Sequence, residues 1–306
     1  MSREEADVGL RVRLAAPVPG ALSPVDADLG TLLHVERAAS DIHRGHCHEG
    51  APRRAYGGQV AAQALIAAGR TVPADRTVHS LHGNFLRAGD AGLPVDYRVE
   101  RLRDGRSYHS RRVTAVQHGE IVFTGSASFK RAEAGPERRR SMPETAGPDA
   151  ARDLSLSWAD ADPQHHEKSV FHRVLDLRLA EAPAPRPVDG ETEQRLWIRS
   201  AAPLPDDPLL HAGVLAYASD LWLAPTAALA VEPPRMLRGS ESALFLTSLD
   251  HAIWYHRPFR ADAWMLFAQR SPWAGDGRGL VLADVWSEEG HLLASVVQET
   301  VLRHLR

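Results

Sequence analysis

The chain has 306 residues, of which 43% are hydrophobic and 25% charged, with a formal net charge of −3. This composition supports a large core or two domains and excludes disorder for most of the chain. The near-neutral balance weighs against a nucleic-acid partner, and a single cysteine, Cys47, excludes an internal disulfide and fits a reducing compartment.

Met1 to Asp7 is acidic and lacks the basic-then-apolar order of a secretory signal. Residues 1–27 mix small, acidic and proline residues without a sustained period and read as a loose arm. Gly57 to Arg70 is an Ala-rich apolar helix opened by a glycine pair. Val95, Tyr97 and Val99 then alternate with Asp96, Arg98 and Glu100, the period of a half-buried strand. Turns at 103–106 and 117–120 bound further strands over Tyr108–Val116 and Ile121–Phe129. Residues 28–132 thus read as one helix followed by an antiparallel meander. Residues 133–168 turn polar, with Pro136, Pro143, Pro148, Pro163 and the run Arg138-Arg139-Arg140, and read as a linker. Lys130 and Lys168 are the only lysines, and in a chain so rich in Ala, Gly and Pro the arginine excess reads as compositional bias.

Residues 169–306 repeat the plan. Asp207 suits an N-cap and Pro208 a first helical position, predicting a helix that stops before Pro225. Within it, the apolar run Ala212 to Ala224 is too short to span a bilayer and carries Asp220, so a soluble, cytoplasmic protein with no membrane partner is expected. Strands are predicted over Ala243–His256, Trp264–Arg270, Gly279–Trp286 and Leu292–Val301, with turns at Gly275-Asp276-Gly277 and Glu289-Gly290.

Three segments align between the halves in the same order. Tyr56-Gly57-Gly58-Gln59 lies opposite Tyr217-Ala218-Ser219-Asp220, His79-Ser80-Leu81-His82 opposite Thr247-Ser248-Leu249-Asp250, and residues 118–123 opposite 289–294. This points to an internal duplication of an α+β unit, an antiparallel sheet wrapped around a buried helix.

Chemistry is expected where polar residues interrupt apolar faces at a cost. In the last strand Leu292, Ala294, Val296, Gln298 and Thr300 share one face, so Gln298 stands where the first half has Ala127. Asp220 lies in an apolar helix opposite Gln59, and Ser248 is matched by Ser80. Only the second half therefore combines an ionisable group with two hydrogen-bonding neighbours.

Other groups carry less. His43, His46, Cys47 and His48 lack an established ligand spacing, so they read as a surface strand or loop and no metal is expected. Gly275 to Gly279 lies between strands and is a turn, not a phosphate loop. No G-x-S-x-G elbow occurs, which argues against an α/β-hydrolase esterase. His79 and His82, flanking Ser80, are either general-base candidates or pocket and core histidines. Asp250 and His251 point to opposite strand faces and do not form a dyad.

Longer motifs run through both halves: Tyr56-Gly57-Gly58-Gln59-Val60, Val78-His79-Ser80-Leu81-His82, Arg101 to Gly105, Tyr217 to Asp220, Leu249-Asp250-His251, His256-Arg257-Pro258-Phe259 and Val297-Gln298-Glu299. In these the chain resembles the type II, TesB-like acyl-CoA thioesterases over roughly 28–306. The resemblance implies a double hotdog, the second copy (169–306) carrying the chemistry. It also implies that Asp220, Ser248 and Gln298 act together on a water to hydrolyse fatty acyl-CoA, without a cofactor. Ser248 stands where the family often has Thr. The helix start at Gly57 and Gly58 is a candidate for binding the substrate carbonyl. Exposed sheet edges suggest a homodimer or homotetramer. The competing readings are a hotdog acyl-CoA hydratase, whose helical Asp-plus-His motif has no counterpart after Asp220, and a non-catalytic acyl-CoA-binding protein.

Overall fold

The computed structural model describes residues 28–51, 53–138, 140–154, 170–181, 191–229, 231 and 244–304; the arm at 1–27 and the end of the linker lie outside them. The first half opens with α1 (Leu29–Leu32), capped by the Asp28 carboxylate, which accepts from the Thr31 N–H at 2.6 Å. Strands β1 (Glu36–Ala39), β2 (Ile42–Gly45), β3 (Glu49–Ala51) and β4 (Arg54–Ala55) follow. Then come helix α2 (Gly57–Gly69) and the long strands β5 (Thr77–Phe85), β6 (Val95–Asp104), β7 (Tyr108–Gln117) and β8 (Glu120–Lys130). The second half contains β9 (Arg152–Asp153), α3 (Val170–Val174), β10 (Leu175–Glu181), β11 (Thr192–Ser200) and helix α4 (Pro208–Ala228). It ends with β12 (Leu244–Ser248), β13 (Asp250–Tyr255), β14 (Met265–Gly275), β15 (Arg278–Ser287) and β16 (Leu292–His304).

All these strands except β3 and β4 join one antiparallel sheet, in the order β1-β2-β6-β7-β8-β5-β13-β16-β15-β14-β11-β10-β9, with β12 also on β16. Each half repeats the same sequence of neighbours outward from a central seam, where β5 pairs with β13 from Asn84↔Asp250 to Ser80↔Trp254. The duplication inferred from three short alignments is thus a repeat of topology, and the fold is a double hotdog. The hairpin turns lie where expected: His118–Gly119 and Asp276–Gly277 all take positive φ, which suits the twist of tight two-residue connections.

Both helices are apolar all round because both lie inside the sheet. Every residue of α2 from Gly58 to Ala68 is buried. The two helices run antiparallel and cross closely through glycine. A Cβ on Gly58 would lie 2.7 Å from the Tyr217 carbonyl oxygen, one on Gly213 2.9 Å from Ile66 Cδ1, and one on Gly69 2.4 Å from Leu209 Cδ1.

The structure corrects the sequence expectations at several points. Helix α4 does not stop before Pro225; it continues to Ala228, because Thr226, Ala227 and Ala228 are buried and Gly279 leaves room for the Ala227 methyl. Tertiary burial there outweighs the lost helical hydrogen bond. The strand expected from 243 to 256 is broken at Leu249 (Ala243 lies outside the described residues). The Leu249 N–H bonds the Glu299 carbonyl at 2.9 Å, while the Asp250 carboxylate accepts from the Glu299 N–H at 2.7 Å. This irregularity resets the alternation, so His251, Ile253 and Tyr255 are buried and Trp254 is exposed. His43 and Cys47 are buried rather than superficial. The strands ahead of each helix, β1 and β2 and their counterparts β10 and β11, were not foreseen.

The polar segment after β8 is bonded to the second half. Trp197 Nε1 donates to the Ala146 carbonyl at 2.8 Å, Arg140 pairs with Asp284 at 2.9 Å, and Met142 and Ala151 pack on a cluster of Trp197, Trp264, Leu266 and Trp286.

Candidate active site

Asp220 sits in the middle of α4, 8% exposed. Its surroundings come from both halves. Ser248, the last residue of β12, donates its hydroxyl to Asp220 Oδ1 at 3.1 Å, and Gln298 Nε2 on β16 donates to Ser248 Oγ at 2.8 Å. The structure therefore brings Asp220, Ser248 and Gln298 into one hydrogen-bonded line. On the other side of the carboxylate is the N-terminus of α2: a Cβ on Gly57 would lie 3.0 Å from Asp220 Oδ2 and 3.2 Å from the Phe85 ring. The first N–H groups of a helix have no intrahelical partner and carry the positive end of its dipole, so this end of α2 suits negative charge. Gly58 has a different place, its Cα facing Tyr217 and the Tyr56 ring at the helix crossing.

Next to the carboxylate is an aromatic wall. Tyr56 donates to the Tyr217 carbonyl at 2.7 Å, and the rings of His48 and Phe171 lie 5.5 Å and 4.8 Å from that of Tyr56. Burial, reinforced by the Asp220 carboxylate, holds the Tyr56 phenol well above its ordinary pKa, so it stays a neutral donor. His48 Nδ1 meets the Glu49 carbonyl at 2.9 Å and Nε2 meets the Tyr217 hydroxyl at 2.8 Å, which fixes the proton on Nδ1. Burial depresses the His48 pKa to about 4.

The aligned residues of the first half do other work. Gln59 Nε2 donates to the carbonyls of Leu32 at 2.6 Å and His46 at 3.1 Å, and Gln59 Oε1 accepts from the His48 N–H at 2.8 Å. Gln63 binds the same two carbonyls and accepts from Tyr97 at 2.7 Å. These amides clamp α1 and the 46–48 segment onto α2. Cys47, beside Gln63, has its thiol pushed up to about 12 by burial. The described residues contain no group of three or more His, Cys, Asp or Glu side chains placed to hold a metal ion.

The two histidines beside Ser80 are elsewhere. His79 Nε2 lies 2.8 Å from Ser128 Oγ, and His82 packs edge-on against Trp254 at 4.8 Å. The histidine that does reach the polar line is His251, which the sequence reasoning set aside. Its Nδ1 lies 2.6 Å from Gln298 Oε1 and its Nε2 2.8 Å from Ser219 Oγ. The sequence alignment set Leu249 opposite Leu81, whereas the strand register puts His251 against Gln298 where the first half has Leu81 against Ala127, a correspondence visible only in the structure.

Comparison with known proteins agrees with this architecture. Sequence models of the acyl-CoA thioesterase N-terminal and C-terminal domains match residues 47–130 and 143–302. Acyl-coenzyme A thioesterase 8 of Homo sapiens is 37% identical over 286 residues, covering 89% of this chain and 88% of that one. Acyl-CoA thioesterase 2 of Haemophilus influenzae is 34% identical over 289 residues, covering 92% and 99%. The crystal structure of acyl-CoA thioesterase II TesB2 from Mycobacterium marinum superposes with a TM-score of 0.75 at 39% identity, covering 90% of this chain and 98% of that one. With both domain models matched in order and relatives aligned over nearly their whole length, the chain belongs to the acyl-CoA thioesterase family.

Proposed function

We propose that this chain hydrolyses fatty acyl-CoA to the free acid and CoA, using a water activated by Asp220, Ser248 and Gln298. The observation that carries the reading is the continuous hydrogen-bonded line from Gln298 through Ser248 to Asp220, ending beside the α2 N-terminus. Family membership favours thioester hydrolysis over a hydratase or a silent binder.

The chemistry suits these groups. A thioester is activated and a thiolate leaves readily, so no covalent nucleophile is needed. Asp220 accepts a proton as the water oxygen attacks the carbonyl carbon. Ser248 directs its hydrogen at Oδ1, leaving Oδ2, on the Gly57 side, to face the water. The amide of Gln298 carries a second N–H with which to hold that water in place. Charge developing on the carbonyl oxygen meets the free N–H groups at the start of α2. Collapse of the tetrahedral adduct breaks the C–S bond, and the departing thiolate takes up the proton held by Asp220. Phe85 supplies an apolar wall beside the reacting group.

The test is release of free thiol from an acyl-CoA chain-length series. Turnover is expected with the wild-type chain, and Asp220→Asn is expected to lose about a thousandfold in kcat, within the range of a positioned general base. Wild-type turnover in Asp220→Asn would overturn the assignment.

A further inference from the structure

We infer that His251, held in turn by Ser219, is a positioning residue that fixes the amide of Gln298 and through it the hydroxyl of Ser248. The inference rests on the hydrolysis proposed above. Its logic runs outward from the carboxylate. Asp220 only accepts, so the hydroxyl hydrogen of Ser248 points at Oδ1. Ser248 Oγ must then accept from Gln298, which sets Nε2 on the Ser248 side and turns Oε1 toward His251. An amide oxygen only accepts, so at 2.6 Å the proton between them belongs to His251 Nδ1. On its other side, His251 Nε2 lies 2.8 Å from Ser219 Oγ, whose hydroxyl also reaches the Ala216 carbonyl at 3.1 Å and so ties the ring to the α4 backbone. The opposite arrangement, with the ring proton on Nε2, would turn the Gln298 amide over. The Ser248 hydrogen would then point away from Asp220.

Two further observations single out this chain of bonds. Ser219, His251 and Gln298 are all buried to 1% exposure or less, a costly place for polar groups unless each is satisfied. The first half has bland residues at all three places: Gly58 aligns with Ser219, and by strand register rather than by the sequence alignment, which set Leu81 opposite Leu249, Leu81 faces Ala127 where His251 faces Gln298. The substitutions toward polarity occur together, on the half that carries Asp220. A histidine serving only to fill space would have no need of a glutamine beside it.

The test separates the two ring nitrogens. An asparagine amide nitrogen reaches the position of Nδ1, whereas a glutamine amide reaches that of Nε2. His251→Gln is expected to lower kcat about ten- to a hundredfold with KM little changed, the usual scale for an outer hydrogen-bonding partner. His251→Asn is expected to retain most of the turnover. In a Gln298→Ala background, His251→Gln should add no further loss, because the two act as one unit. Wild-type kcat in His251→Gln, or an additive loss in the double variant, overturns this inference while leaving the hydrolytic assignment intact. Wild-type turnover in Gln298→Ala overturns the site reading and this inference with it. Should the His251 variants not fold, imidazole 15N shifts of the histidine-labelled wild-type chain decide: a protonated Nδ1 is expected at His251, and an unprotonated one overturns the proposal.

Discussion

Gln59 and Asp220 occupy matching places on two helices and have opposite duties. The Gln59 amide is consumed by backbone partners, three bonds tying α1 and the 46–48 segment to α2. Gln59→Ala leaves the half-buried His48 N–H without its acceptor, takes the Gln59 donor from the buried Leu32 carbonyl, and is expected to cost about 1–3 kcal/mol of stability, read as a shifted denaturant midpoint. Its kcat should fall far less than that of Asp220→Asn; an equally deep loss would contradict the division of roles. In the sequence, Gln298 stood out against Ala127 and Asp220 as a carboxylate in an apolar helix, while Ser248, matched by Ser80, was drawn in by the family resemblance. His251 did not stand out. Strict alternation from Ser248 turns residue 251 outward, and nothing in the residue string announces the irregularity at Leu249 that turns it inward.

At the scale of elements, the two long helices, the strands after them and the glycine turns were readable, and the strands ahead of each helix were not. Strands β1 and β2 have four residues each, too few for a period to show. Pro225 misled for a clear reason: propensity is local, whereas the burial of Thr226 to Ala228 is a property of the assembled core. The helix crossing yields a sharper expectation. A methyl on Gly58 would meet the Tyr217 carbonyl oxygen at 2.7 Å and the Tyr56 ring at 2.8 Å, and neither helix can retreat without moving Gly57 from Asp220. Gly58→Ala should therefore destabilise by about 1–3 kcal/mol and lower kcat as well. An alanine variant with unchanged melting and unchanged turnover would show that the helices are not held at that distance.

Among the described residues, the shifted histidines and aspartates act with one sign below pH 7. Burial lowers the pKa of His43, His48, His79, His82, His211 and His256, His48 to about 4. Each stays neutral in the folded chain while the unfolded chain takes up a proton near 6.5, so stability falls as pH drops from there toward the folded value. Hydrogen bonds from arginine partners hold Asp41, Asp75, Asp96, Asp104 and Asp262 below their ordinary value, Asp262 at about 2. Their stabilisation is present above the ordinary carboxylate value and is lost on further acidification. Both sets act in the same direction, so the Tm should fall steadily from pH 7 to pH 4, with a shallower slope in His48→Asn. A Tm that rises on acidification would rule this out.

The seam between β5 and β13 makes one sheet of two copies within one polypeptide. Two identical subunits meeting across such a seam would have to accept every change twice: a carboxylate placed in one helix would appear in the other. Covalent joining removes that doubling. One helix is free to trade its charge for a clamp while the other keeps a carboxylate at the crossing. Asymmetry of this kind is open to a gene that encodes both partners and closed to one that encodes a single partner used in pairs.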